Sequence, residues 1–282
     1  MKNNIYVSTT FIKDNQSFSV ALKLLKSLNI TNIEIGSNHI HEKKKLDLKK
    51  YKCNFLIHNY FPVPEKKLII NIASQNERIR KSSISHIKKS IYFSKKNKAK
   101  LYTFHPGFIS DPESTSSNKK NYDFIWKKKL KINSNKKAWN NMIKSLKEII
   151  IYSNKIKFPI CIETQGSIKQ KDKLLMQRPN EFKKLFKLLK NYKIGINLNL
   201  AHLNLSSKAF NFNKERFISL IKDRIVAFEV SHNYGKIDNH LPLKLNTWYL
   251  KILNKNIFKK IPIILEFRNS SLRDIRNSCS MF

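Results

Sequence analysis

Phe158-Pro-Ile-Cys-Ile-Glu163 is a short apolar run that ends on a carboxylate. A helix-patterned stretch over residues 181–189 follows it, and Lys193-Ile-Gly-Ile-Asn-Leu-Asn199 opens the next such run. The same unit recurs in both directions. Upstream stand residues 4–10, Asn32-Ile-Glu-Ile-Gly36, Asn54-Phe-Leu-Ile-His58 and Lys100-Leu-Tyr-Thr-Phe-His105. Downstream stand residues 224–232 and Ile261-Pro-Ile-Ile-Leu-Glu266. All eight are rich in Ile, Val, Phe or Tyr, the composition of strands. Apolar residues at helical spacing mark residues 18–28, 77–94, 138–152 and 216–221 as helices between them. Alternating strand and helix predicts parallel pairing. Eight strands in 282 residues predict closure into a single (β/α)8 barrel, which takes roughly 250 residues. A doubly wound open sheet is the alternative, but no glycine-rich turn follows the first strand.

The remaining composition narrows the function classes. Only five glycines are present, with neither GxGxxG nor a Walker loop, so no nucleotide cofactor is expected. No run approaches the ~18 apolar residues that span a bilayer, and the N-terminus reads as a strand rather than a secretory signal. Cys53, Cys161 and Cys279 form no CxxC pair, which fits reduced thiols in a cytoplasmic protein. The net charge of +37 invites a polyanion partner. The excess is nearly all Lys, with eight Arg, and Arg is the residue suited to bidentate phosphate contact. The Lys residues are scattered over 43–45, 95–100, 127–131 and 183–193. A solvated surface shaped by AT-rich coding is therefore the preferred reading. With no internal repeat or linker, residues 1–282 form one domain.

Barrel enzymes carry their chemistry at the C-terminal ends of the strands. Here those ends read His58, His105, Glu163, Asn199 with His202 close behind, His232 with Asp238 and His240 behind, and Glu266. Five of the eight histidines fall at these positions. Imidazole and carboxylate together suit Zn, Mn, Co or Fe(II), so a metal site is expected. Two long connections, 59–75 and 106–136, lie on the same face and are candidate substrate covers. Tyr60, Phe61, Phe108 and Trp126 offer stacking surfaces there, and Arg268 a phosphate contact. Ser8 and Thr9 end the first strand and are read as structural rather than as substrate contacts; Glu34 and His39, near the second strand end, are within reach of the pocket but are not assigned to the site. Gly107 and Gly235 are assigned to turns.

In order and strand placement, several pieces together resemble the xylose isomerase-like barrel superfamily. They are His58-Asn-Tyr-Phe-Pro62, Asn71-Ile-Ala-Ser74, Phe104-His-Pro-Gly107, Ile162-Glu-Thr164, Asn199-Leu-Ala-His202, the stretch from Ser231 to His240, and Leu265-Glu266. That group holds sugar and sugar-phosphate isomerases and epimerases, and also endonuclease IV. The resemblance implies a divalent metal (Zn, Mn, Co or Mg) held in the sugar enzymes by Glu163, Asn199, His232 and Glu266. The endonuclease pattern adds His58, His105, His202, Asp238 and His240 for a three-zinc cluster. Asn199 departs from both patterns, which have Asp there, and it brings no charge to a metal.

Three functions follow. The preferred one is isomerisation or epimerisation of a sugar or sugar phosphate. Glu163 and Glu266 would act as the catalytic carboxylates that remove and return a proton α to a carbonyl through an enediolate. The segment after His58 resembles barrel proteins of polysaccharide-sugar pathways. It departs from endonuclease IV, which resembles His-x-Pro-Tyr where this chain has Asn59-Tyr60-Phe61-Pro62. The alternative is a zinc nuclease acting on abasic DNA, favoured by the extra histidines and the charge. The third is a barrel that only binds sugar, favoured by Asn199 alone. A nuclease should gather Lys at the rim of the site, whereas a sugar enzyme should have a covered pocket.

Overall fold

The computed structural model describes residues 4–43, 46–66, 68–115, 124–126, 134–168 and 173–282. Ten strands and eight α-helices are found among them. In chain order they are β1 (Ile5–Ser8), α1 (Phe18–Ser27), β2 (Asn32–Ile35), β3 (Asn54–His58), α2 (Glu77–Lys96), β4 (Tyr102–Phe104), β5 (Pro112–Thr115), β6 (Phe124–Trp126) and α3 (Ser134–Ile156). There follow β7 (Ile160–Glu163), α4 (Pro179–Leu188), β8 (Gly195–Asn199), α5 (Leu200–Ala209), α6 (Lys214–Ile221), β9 (Ile225–Val230), α7 (Trp248–Leu253), β10 (Ile263–Leu265) and α8 (Leu272–Cys279). Strands β1, β2, β3, β4, β7, β8, β9 and β10 pair in parallel and close into a barrel. All eight expected strands are present, trimmed at their ends except the third, which spans Asn54–His58 as expected.

Alternation along each strand divides the core in two. Tyr6, Leu56, Leu101, Cys161, Ala227 and Ile264 form a small cluster inside the barrel. Their neighbours one residue on, such as Val7, Ile57, Ile162, Phe228 and Leu265, belong to the large cluster between strands and helices. Two residues beyond each inward apolar residue the chain places Ser8, His58, Thr103, Glu163, Glu229 and Glu266. The barrel thus has an apolar floor and a polar top, and the strand pleat alone decides which side chains reach that top.

The helices differ from a one-per-strand pattern. Among the described residues between β2 and β3 the helical element is a short 3-10 turn at Leu48–Lys50, whereas α5 and α6 both follow β8. Three helices lack the spacing that the sequence reading relied on. In α5 residues 200–207 are all buried, so no polar face sets a period. Helix α7 has six residues. Helix α8 buries Ile275, Ser278 and Cys279 only, although its capping box of Ser271 and Asp274 is a sequence signature. The 106–136 connection is not all loop, because β5 and β6 pair as an antiparallel hairpin. Residues 116–123 and the lysine run at 127–131 lie outside the described residues, as do Lys44 and Lys45.

The covering loops are braced to one another. The Asn71 side-chain amide donates to Asp111 at 2.8 Å, Ser74 donates to the other Asp111 oxygen at 2.8 Å, and Asn71 Oδ1 accepts from Phe108 N at 2.9 Å. Gly107 has φ +103°, and a Cβ there would meet Asn71 Oδ1 at 2.7 Å. Only glycine lets the chain leave β4 against this brace. Gly235 likewise turns at φ +71°.

Phe18 anchors the first helix to the barrel. It is 1% exposed and meets the rings of His39, Tyr51, Phe55 and Phe61 at 5.9–6.3 Å. Phe18→Ala should cost about 3–5 kcal/mol, read as a lower denaturation midpoint. A loss below about 1 kcal/mol would show that α1 contributes little to the barrel wall.

Candidate metal centre

Inward alternation delivers His58, Glu163 and Asn199 from the ends of β3, β7 and β8, with His105 and Glu266 one residue past β4 and β10. The first turn of α5 adds His202, and the loop after β9 adds Asp238 and His240. These eight side chains meet. His58 Nε2 lies 2.9 Å and His105 Nε2 3.0 Å from the same Glu163 oxygen, Oε2. His202 Nε2 lies 3.0 Å and His240 Nε2 3.3 Å from one Asp238 oxygen, Oδ2. His202 Nδ1 reaches Glu163 Oε1 at 3.0 Å, which joins the two groups, and His240 Nδ1 pairs with Glu266 at 3.0 Å. In each group, His58–His105–Glu163 and His202–Asp238–His240, the three ligand atoms lie within 4.8 Å of one another. Buried imidazole nitrogens turned toward one carboxylate oxygen are the donor set that fits a divalent cation.

Asn199 has a fixed orientation. As the N-cap of α5, its side-chain oxygen accepts from His202 N at 3.0 Å. A backbone N–H only donates, so the oxygen must lie on that side. The amide nitrogen therefore faces Glu163 Oε1, at 2.9 Å.

The structure does not bring His232 to the cluster. Strand β9 stops at Val230, and Ala227, Glu229 and Ser231 take the inward positions. His232 shares the outward parity of Phe228 and Val230. Its ring packs edge-on to Tyr234 and Tyr249 at 4.8 and 6.0 Å, with Nδ1 3.2 Å from the Tyr249 hydroxyl. Two acids not assigned to the site belong to the same layer. Glu34, which the sequence placed within reach of the pocket, and Glu229, which it passed over, are both 0% exposed. Glu229 accepts from Asn197 at 2.8 Å, one layer below Asn199. Inward parity was the signal that could have found both.

These charges are strongly coupled. Burial opposes protonation of His58, but the Glu163 hydrogen bond and the charges of Glu34, Glu163 and Glu266 raise it to about 9. Against the same burial, Asp238 and Glu266 raise His240 to about 10, and Asp238 with Glu163 carries His202 well above the imidazole range. Burial would raise the carboxylates, yet His105, His202 and His58 hold Glu163 well below its usual range. His240 likewise lowers Glu266 to about 2, and His240 with His202 holds Asp238 far down. Glu34 is raised by burial to about 7, with His58 opposing and Glu266 adding. Burial and the charges of Glu163, Glu266 and Glu34 push Glu229 well above its normal value. That shift favours the uncharged form of Glu229.

A cavity of about 850 Å³ opens above the cluster, lined by His58, His105, Glu163, His202, Asp238, His240 and Glu266. Tyr60, Phe108, Trp126 and Arg268 all line it too. The Tyr60 hydroxyl accepts from Ile70 N at 3.0 Å, which ties the loop after β3 to its own ring. Phe108 meets Trp126 edge-on at 5.4 Å. Arg268 faces Asp14 at 3.6 Å. His39 also lines the cavity, but it is a brace. Thr9 Oγ1 takes the Gly36 N–H at 2.9 Å and bonds His39 Nε2 at 2.7 Å, while Nδ1 reaches Gln16 O at 3.2 Å. Burial lowers His39 to about 4, so the ring is neutral.

A model of the xylose isomerase-like TIM barrel family matches residues 22–281. The uncharacterized protein MJ1614 of Methanocaldococcus jannaschii is 26% identical over 277 residues, covering 95% of this chain and 94% of that one. Among solved structures, a D-tagatose 3-epimerase-like protein superposes with a TM-score of 0.74 at 21% identity, covering 99% of this chain and 95% of its own. A D-psicose 3-epimerase, crystallised in the presence of D-fructose, gives 0.66 at 11% identity, covering 98% and 97%. At these identities the likeness is one of fold.

Because His58, His202 and His240 are protonated at neutral pH before an ion arrives, a cation must displace those protons. Zinc binding at pH 7 should release more than one proton per chain, measured by calorimetry in buffers of different ionisation enthalpy. Affinity should rise as pH climbs from 6.5 toward 9. Binding without proton release would place the ion away from these histidines.

Proposed function

The chain belongs to the xylose isomerase-like TIM barrel family, and on that premise we propose that it is a metal-dependent isomerase or epimerase of a sugar or sugar phosphate. The charge of the pocket wall carries this reading. Among the described residues, Arg268 is the single Lys or Arg that lines the cavity, and Asp14 faces it. The chain has 56 Lys and Arg in all. Asp14, Glu65, Glu163, Asp238 and Glu266 line the same space. His58, His202 and His240 carry protons that offset most of these acids, and the described wall lacks the cluster of Lys and Arg that would grip a polyanion. It accepts a neutral, hydroxyl-rich molecule, and Arg268 is placed to take at most a single phosphate. The named epimerases among the fold neighbours support the same reading.

A divalent cation held by the histidine–carboxylate cluster would supply a Lewis acid for adjacent carbonyl and hydroxyl oxygens of the sugar. The chain supplies the proton chemistry. Glu266 is ionised, lowered to about 2, and steadied by His240. It lines the cavity, so it can take the proton α to the carbonyl. Glu163, on β7, lines the cavity from another strand; being ionised, it would return a proton to the carbon only by taking one from His58 beside its Oε2. Tyr60, Phe108 and Trp126 give the sugar an apolar wall and, with the braced loops, limit water.

The second reading is phosphodiester hydrolysis. The His202–Asp238–His240 group favours it, because a one-metal sugar site has no need of those residues.

Metal-loaded protein should exchange deuterium from D2O into the carbon next to the carbonyl of some ketose, aldose or their phosphates, detected by NMR. Glu266→Gln should slow that exchange by roughly 10²–10⁴ with the fold unchanged by circular dichroism. Nicking of abasic-site DNA with no exchange on any sugar would reverse the assignment. Neither activity would leave a barrel that only binds.

A further inference from the structure

We infer that the chain holds two divalent cations, one in each imidazole–carboxylate group, and that the position between them is closed. This goes beyond the proposed reaction and holds whatever the substrate is. The two groups have the same design. Each turns two imidazole Nε2 atoms toward one carboxylate oxygen, at 2.9 and 3.0 Å in the first and 3.0 and 3.3 Å in the second. Tetrahedral ions with bonds of roughly 2.0–2.2 Å hold their ligands about 3.3–3.6 Å apart. Each group therefore needs to open by only a few tenths of an ångström. Two imidazoles and one carboxylate also leave a fourth position free, as catalytic sites do.

In the second group the outer nitrogens face acceptors. His202 Nδ1 lies 2.8 Å from the Thr164 carbonyl and His240 Nδ1 3.0 Å from Glu266. A proton on each Nδ1 leaves the Nε2 lone pair for the cation, as second-shell partners of metal-bound histidines do. In this arrangement Glu266 orients His240 rather than ligating.

The space between the groups has no such donor set. There the family's sugar enzymes would draw on Glu163, Asn199, His232 and Glu266. His232 is turned outward against Tyr249. The Asn199 oxygen is used in capping α5, and its NH2 faces Glu163 Oε1. That Glu163 oxygen also faces His202 Nδ1, so it is surrounded by donors. The residue that replaces a family aspartate is thus a strut between two sites rather than a weakened ligand.

The test is metal counting on the full chain, stripped with chelator and reloaded with Zn²⁺ or Co²⁺ alone. Elemental mass spectrometry after desalting should give two ions per chain, and the visible absorption of Co²⁺ should saturate at two equivalents. His105→Ala and His240→Ala should each retain one ion, and His232→Ala should retain two. The unmodified chain decides the matter if a variant fails to fold. One ion that is lost in His232→Ala, three ions, or none would overturn the inference. The sugar assay plays no part in this count, so the two proposals can fail separately.

Discussion

Glu163 is the group on which the top of the barrel depends. It is 1% exposed, and its charge is tolerable only because its oxygens meet three imidazoles and one amide. A buried carboxylate without partners would take up a proton instead. Around it the histidines hold their own protons, and behind them Asp238 and Glu266 compensate those protons in turn. The result is an alternating network in which each charge is the reason for the next. It is also a network that a divalent cation can enter by exchange for protons, with little movement of side chains.

Beneath this layer, Glu34 and Glu229 set a second condition. Both are fully buried and crowded by the other carboxylates, so both are pushed toward their uncharged forms, Glu34 to about 7. They keep the inside of the barrel polar down to the Cys161 and Ala227 layer with less negative charge than two ordinary carboxylates would bring. The exterior is a different regime. The chain carries +37 overall, yet Arg268 is the one Lys or Arg on the described cavity wall. The overall charge therefore describes the solvated surface and not the site.

The barrel was legible in the sequence because eight strand-like runs recur at a βα period, and the ends of those runs named eight of the side chains that converge. The placement of His232 away from the cluster has a definite physical origin. Strand ends were read as places, whereas the pleat makes them places with a direction. Counting by two from Ala227 leads to Glu229 and Ser231, and counting by two from Phe228 leads to His232. The same count would have admitted Glu34, which was noted near the pocket but not assigned to it, and Glu229, which was passed over. The α5 helix was missed for the opposite reason. It lies beneath other elements on every side, so it shows no amphipathic period.

The role of Asn199 follows from the same local logic. It ends β8 and caps α5, and a helix cap commits its oxygen. The most direct test of this account is anomalous scattering at the zinc edge from crystals of the zinc-loaded chain. The account predicts two peaks, one among His58, His105 and Glu163 and one among His202, Asp238 and His240. A single peak bounded by Glu163, His232 and Glu266, with His232 turned inward, would contradict it.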